Sequence, residues 1–136
     1  MPLPTNFESY KLLIREHHLD TYGHVNNATY MVILEEARWE MLEKRGIGFN
    51  YVHTSGCGPV VLGINIKFRK EIKLRQWITI KTRFTKWDGK FGELEQLIER
   101  EDGVVACESS FSFGFFDLKE RKLAAPPRQW LDAVGI

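Results

Sequence analysis

A chain of 136 residues, 43% of them hydrophobic and 27% charged, is long enough for one globular domain over residues 1–136 with a core that needs neither disulfide nor metal. Its 19 basic and 18 acidic residues leave a formal net charge of +1, which excludes a general attraction to nucleic acid or to an anionic membrane surface. Cys57 and Cys107 stand far apart with no His or Cys at metal spacing, no N-terminal basic and apolar leader is present, and no apolar run approaches the roughly 20 residues of a membrane span, so a cytoplasmic protein with two reduced thiols is expected.

In chain order, residues 10–18 mix apolar and polar side chains without Gly or Pro and predict a first strand. Residues 19–27, LDTYGHVNN, are rich in Asp, Gly and Asn and predict a loop. A helix follows. Tyr30, Ile33, Leu34, Ala37, Met41 and Leu42 fall at helical spacing and define one apolar face, with Glu35, Glu36, Glu40, Glu43 and Lys44 on the remainder. Asn26 or Asn27 can cap its start, and Arg45-Gly46 suits its end.

Beyond the helix the pattern alternates with the period of a strand. Val60, Leu62, Ile64, Ile66 and Phe68 are expected to share one face, and Ile78, Ile80, Thr82 and Phe84 another such row. Asp88-Gly89 and Asp102-Gly103 are hairpin signals that flank a strand near residues 91–99. Val105, Cys107, Ser109, Phe111, Phe113 and Phe115 alternate in a long last strand, and a short helix is expected through Trp130 and Leu131. One long amphipathic helix and about five hairpin-linked strands are most economically an α+β fold with a curved antiparallel sheet wrapped around the helix.

The loop before the helix gathers an acid, an imidazole and two amides: Asp20, His24, Asn26 and Asn27, with Tyr30 one turn later. The first turn of a helix has N–H groups without partners, which can stabilise a carbonyl oxygen as it becomes an oxyanion. A carboxylate beside it can attack that carbonyl or activate water. The same residues also fit a purely structural loop, in which Asp20 bonds loop amides, Asn26 and Asn27 cap and turn, and His24 packs.

The stretch LDTYGHVNNATYMVILEEARWEML resembles the signature of hotdog-fold acyl-CoA thioesterases of the 4-hydroxybenzoyl-CoA thioesterase type: an acid ten residues before a Tyr (Asp20 and Tyr30), the Gly23–Asn27 turn, and Glu36-Ala37-Arg38 on the helix. The resemblance implies a hotdog fold, a homodimer or homotetramer with active sites at the subunit interface, an acyl-CoA substrate, and no cofactor beyond the coenzyme A of that substrate. It places the catalytic carboxylate at Asp20, the carbonyl-polarising backbone N–H at Asn27, and His24 in a direct or supporting role, with Tyr30 against the substrate. The turn Lys86-Trp87-Asp88-Gly89-Lys90 is similar to one that reaches the coenzyme A phosphates in relatives, which nominates Lys86 and Lys90, and Arg69 and Lys70 more weakly. Many relatives carry a second acid two residues before the catalytic one; here that position is His18. Glu35 and Glu36 are expected to be structural, and Phe111, Phe113 and Phe115 to line either core or acyl channel. The rival readings are a hotdog enoyl-CoA hydratase, a non-catalytic acyl-CoA-binding protein and a purely structural oligomer.

Overall fold

The structure, a computed structural model, describes residues 7–136. One antiparallel sheet holds β1 (Glu8–Leu13), β2 (Cys57–Phe68), β3 (Trp77–Asp88), β4 (Phe91–Arg100), β5 (Val105–Asp117) and the two-residue β6 (Lys122–Leu123). The spatial order is β1-β3-β4-β5-β2, with β6 on the end of β5, so β1 and β2 are the edges. Both Asp-Gly turns form as expected, with Gly89 and Gly103 at positive φ, a conformation glycine adopts without steric cost.

Among the described residues three α-helices join the sheet: α1 (Asn27–Lys44), α2 (Phe49–Ser55) and α3 (Arg128–Val134). The apolar face read from the sequence is the face α1 buries: Tyr30, Ile33, Leu34, Ala37, Met41 and Leu42 are all buried. They meet the inner row of the sheet, including Ile78, Ile80, Phe84, Leu94, Ile98 and Phe111. Emptying one such site, as in Leu34→Ala, typically costs about 2–5 kcal/mol, so this helix-to-sheet contact dominates the stability. At one end, the fully buried Trp130 of α3 packs on Phe84, Trp87 and Phe115 with ring centroids 5.7, 4.8 and 5.1 Å away.

Arg38, 8% exposed, crosses from α1 to the sheet and donates from Nη1 to Gln96 Oε1 at 3.0 Å, with its guanidinium 4.4 Å from the Phe111 ring centre. Gln96 Nε2 in turn donates to Leu34 O and Thr82 Oγ1. A helical Arg among apolar residues gives no sequence signal of this buried network, because its partner comes from a strand distant in the chain.

Three expectations need correction. The predicted strand over residues 10–18 is β1 over Glu8–Leu13, followed by a 3-10 turn at Glu16–His18. On β2 the row Val60, Leu62, Ile64, Ile66, Phe68 is broken, because a bulge between Val61 and Gly63 makes Leu62 the extra residue. Cross-strand partners share a face, so pairing to Phe111 and Phe113 sets Ile64 and Val61 on the inner row, while Leu62 lies beside Gly114 and Leu123. The sequence reading also missed α2, whose seven residues are too few for a periodic signal.

Candidate active site

The loop at residues 19–26 is a closed turn. Asp20 N donates to His24 O at 2.9 Å, Gly23 N donates to Asp20 O at 3.1 Å, and Gly23 sits at φ 81°. Asp20 Oδ1 accepts from the N–H groups of Tyr22 at 2.8 Å and His24 at 3.3 Å. Asp20 therefore does the structural work that the simpler reading assigned to it, with one oxygen. Its Oδ2 accepts no hydrogen bond among the described residues, so the carboxylate is held by one oxygen and free at the other.

The first turn of α1 is capped almost completely. Ala28 N donates to the side-chain oxygens of Asn26 at 2.8 Å and Asn27 at 2.9 Å, and the N–H groups of Thr29 and Tyr30 donate to Asn26 O. Among the described residues, the N–H of Asn27 is the first-turn donor left without an acceptor. A donor at the positive end of an 18-residue helix is suited to a developing negative charge. Both asparagines thus act as caps, and the pair tunes which donor stays open.

Asp20 and Asn27 line one cavity of about 280 Å³ with His24, Val25, Tyr30, Phe68, Arg69, Lys70 and Glu71. Tyr30 is buried and packs edge-on against Phe68 at 4.8 Å. Burial, chiefly, pushes its hydroxyl up to about 12, so it stays protonated at neutral pH. His24 Nε2 lies 2.7 Å from Glu71 Oε2, and Glu71 Oε1 is 3.2 Å from Lys73 Nζ. Hydrogen bonding to Lys73, and then the nearby His24, hold the Glu71 carboxyl below the usual range. Glu71 has no counterpart in the sequence reading. It follows a strand far along the chain, and only the His24–Lys73 backbone bridge brings it to the loop. His18, where relatives have an acid, is buried under the loop, and its Nδ1 accepts from Arg15 N at 2.9 Å. Burial lowers its pKa, so it is a neutral packing group here.

Lys86 and Lys90 are not brought to this cavity within one protomer. Phe91 pairs with Gly114 at one end of β5, whereas Phe68, on the cavity wall, pairs with Cys107 near the other. Seven strand residues separate those points, about 23 Å at 3.3 Å per residue. Arg69 and Lys70 flank the loop instead; Arg69 pairs with Glu108 at 3.1 Å, and the Lys70 ammonium has no partner among the described residues. Glu35 and Glu36 lie outside the cavity, Glu36 accepting from the Tyr10 hydroxyl at 2.5 Å. Among the described residues no cluster of His, Cys, Asp and Glu has the geometry of a metal site. Among the described residues no helix is long and apolar enough to cross a membrane.

An antiparallel sheet curled around one long helix is the hotdog architecture. A sequence model of the thioesterase-like superfamily matches residues 14–134. The chain is 38% identical over 116 residues to FadM, a long-chain acyl-CoA thioesterase of Escherichia coli, a match covering 85% of this chain and 87% of that protein. It is 32% identical over 100 residues to Protein THEM6 of Xenopus laevis, covering 73% of this chain and 48% of that longer protein. The crystal structure of YbaW, a probable thioesterase from Escherichia coli, superposes with a TM-score of 0.82 at 35% identity, over 92% of this chain and 94% of that one. SAV2348 of Staphylococcus aureus, solved in complex with CoA, superposes at 0.89 with 16% identity over 98% and 84% of the two chains, a likeness of fold alone. The chain belongs to the thioesterase-like superfamily and is by that membership a thioester hydrolase. The match defines the superfamily as a whole.

Proposed function

We propose that this protein hydrolyses acyl-CoA thioesters to a carboxylic acid and free coenzyme A, with Asp20 as the catalytic carboxylate. The observation that carries the reading is the pairing of two unsatisfied groups in one cavity: Asp20 Oδ2 and the N–H of Asn27. A thioester carbonyl accepting from Asn27 N–H gains stabilisation as its oxygen becomes an oxyanion. Asp20 Oδ2 then attacks the carbonyl carbon or takes a proton from an attacking water. In either route a new C–O bond forms, the C–S bond breaks, and sulfur leaves as a thiolate that takes up a proton; where Asp20 itself attacks, water then opens the resulting anhydride, releasing the acid and restoring the carboxylate. No cofactor beyond the coenzyme A of the substrate is needed. In this reading the kinship with the 4-hydroxybenzoyl-CoA thioesterase type lies in the loop aspartate, not in an aromatic acyl group; the FadM relative, named for long-chain acyl-CoA, supports an extended acyl chain.

The working form we propose is a homodimer paired through the β2 edge. That edge exposes Val61, Leu62, Ile64 and Phe68, whereas β1, the other edge, presents Ser9 and Lys11. Open apolar edges invite pairing and charged ones resist it. Antiparallel β2–β2 pairing sets the partner's β3–β4 turn at the Asp20 end of the combined sheet, about three strand spacings or 14 Å from this β2. That distance lets the partner's Lys86 and Lys90 join Lys70 around the coenzyme A phosphates. The cytoplasm remains the expected location.

The test is thiol release from short, medium, long and aromatic acyl-CoAs by wild type, Asp20→Asn and Asp20→Ala. Release by wild type with loss of at least a hundredfold in both folded variants is the expected result. Tight acyl-CoA binding without release would instead indicate a carrier, and normal turnover by Asp20→Ala would move the carboxylate elsewhere.

A further inference from the structure

A second cavity of about 280 Å³ lies further along α1, lined by Glu35, Arg38, Trp39, Met41, Leu42, Pro59, Val60, Val61, Phe84, Leu94 and Phe113. Its walls are apolar apart from Glu35 and Arg38. Arg38 is more than nine-tenths buried, yet among the described residues its five donors make one hydrogen bond, to Gln96, and no carboxylate lies within ion-pair distance. The Phe111 face 4.4 Å away offsets part of its charge and leaves the in-plane donors open. Burial lowers its pKa to about 10, against the opposing effect of the Glu35 carboxylate on the same wall. Its remaining donors are not sealed inside the protein, because Arg38 lines the cavity, and an oxygen placed there can accept from them.

The two cavities lie on one line. Asn27 and Arg38 are eleven residues apart, which is three helical turns plus about 20°, so they share a face of α1 about 16 Å apart. Met31 falls on the same stripe, and the inner row of β2, Phe68, Ile66, Ile64 and Val61, runs antiparallel beside it. Phe68 lines the first cavity and Val61 the second, with Ile64 between them 48% exposed. This apolar track has the dimensions of an extended alkyl chain, which advances about 1.2 Å per bond, as a fully extended backbone does. A chain whose carbonyl sits at Asn27 reaches Arg38 at roughly its twelfth to fourteenth carbon.

Building on the thioesterase reading above, we propose that the preferred substrate is a long acyl chain carrying a neutral oxygen function, a hydroxyl or keto group, about a dozen carbons from the thioester, held by Arg38. Glu35, on the same wall, disfavours a second carboxylate and can accept from a hydroxyl. Arg38 is thus a specificity residue of the distal subsite, remote from the bond that breaks.

The experiment compares stearoyl-CoA with its analogue hydroxylated on the twelfth carbon, and dodecanoyl-CoA with the corresponding ω-carboxylate, in wild type, Arg38→Met and Arg38→Lys. Two quantities are read for each pair: the ratio of kcat/KM, and the ratio of Kd for the non-hydrolysable thioether analogues. The expected result is a hydroxyl preference of about tenfold in wild type, the size of one net hydrogen bond to a charged group. It should be lost in Arg38→Met and partly kept in Arg38→Lys, with no preference for the carboxylate. Equal wild-type ratios for the hydroxylated and plain chains overturn the proposal whatever the variants do, and so does a preference that Arg38→Met retains. A preference for the ω-carboxylate alone also overturns it, replacing a neutral ligand by an anion. Thiol release with equal ratios leaves the hydrolase reading intact; a Kd preference without thiol release leaves the subsite and removes the hydrolase.

Discussion

His24 Nε2 lies 2.7 Å from Glu71 Oε2, tying the loop before α1 to the turn after β2. Both side chains are close to half exposed, at 41% and 45%, so solvent screens the pair and it adds little to stability. Its larger effect is positional, because the same loop carries Asp20. Glu71→Gln is expected to lower kcat/KM three- to tenfold while shifting Tm by no more than about 4 °C. Steady-state kinetics beside thermal melting checks this, and unchanged kinetics would make the pair a surface contact only.

Asn27 offers a test that separates backbone from side chain. It is the first residue of α1, where proline is tolerated, and Asn26 before it already sits at φ −63°, ψ 139°, the region a following proline requires. Asn27→Pro removes the open N–H and the side-chain acceptor for Ala28 N, the second of which Asn27→Ala removes as well. We expect kcat to fall about 10²–10³-fold, the cost of one lost oxyanion donor. Asn27→Ala keeps the N–H and should retain most activity, since Asn26 still caps Ala28. Equal activity in the two variants would remove the oxyanion role from this amide.

Alkaline pH should unfold the protein through its tyrosines. The hydrogen bond to Glu36, then burial and the charges of Glu36 and Glu40, raise Tyr10 from 10.0 to about 12. Burial raises Tyr30 from 10.0 to about 12, and the buried Cys107 thiol from 9.0 to about 12. Each group is protonated in the fold and ionises earlier when unfolded. The stability they add is therefore complete below the unfolded values and is lost as pH rises toward 12. Urea titrations from pH 9 upward should show a midpoint that falls with pH, and Tyr10→Phe should make that fall shallower. An equal slope in the variant would remove Tyr10 from the cause.

The β2 edge predicts association. Leu62→Lys places a charge on this edge at a 51% exposed bulge residue, off the inner row of β2 that the acyl track uses. Light scattering should show a dimer for wild type and a monomer for the variant. Thiol release should fall with it if the partner's Lys86 and Lys90 complete the site. A wild-type monomer with full activity would make the strip a substrate surface alone.

Gly92 lies under an aromatic ring. A Cβ there would come within 1.9 Å of the Trp87 ring, which pairs with it across the hairpin and packs on Trp130. Gly92→Ala must push Trp87 off the α3 cluster, and a loss of about 1–3 kcal/mol in chemical denaturation is expected. A neutral effect would show that Trp87 has room to tilt.

The sequence by itself determined the elements whose signals are local. The face of α1, its asparagine caps, the two Asp-Gly hairpins and the alternation of β3 and β5 are each written in residues a few positions apart, and each formed as read. The loop motif likewise concentrates Asp20, His24 and Asn27 within eight residues, and its turn closes on its own Asp20–His24 and Gly23–Asp20 hydrogen bonds. Tertiary structure alone decided what depends on residues far apart in the chain. The bulge at Leu62 follows from pairing with β5 and reassigns which side chains of β2 face inward. Glu71 and Gln96 reach His24 and Arg38 across the fold, and no periodicity marks them. The lysines of the β3–β4 turn have a plausible composition for phosphate binding, yet strand order sets them at the opposite end of their own protomer from Asp20. Local propensity and capping act over one or two turns of chain, whereas register, burial of a lone cation and distance between sites are properties of the packed sheet.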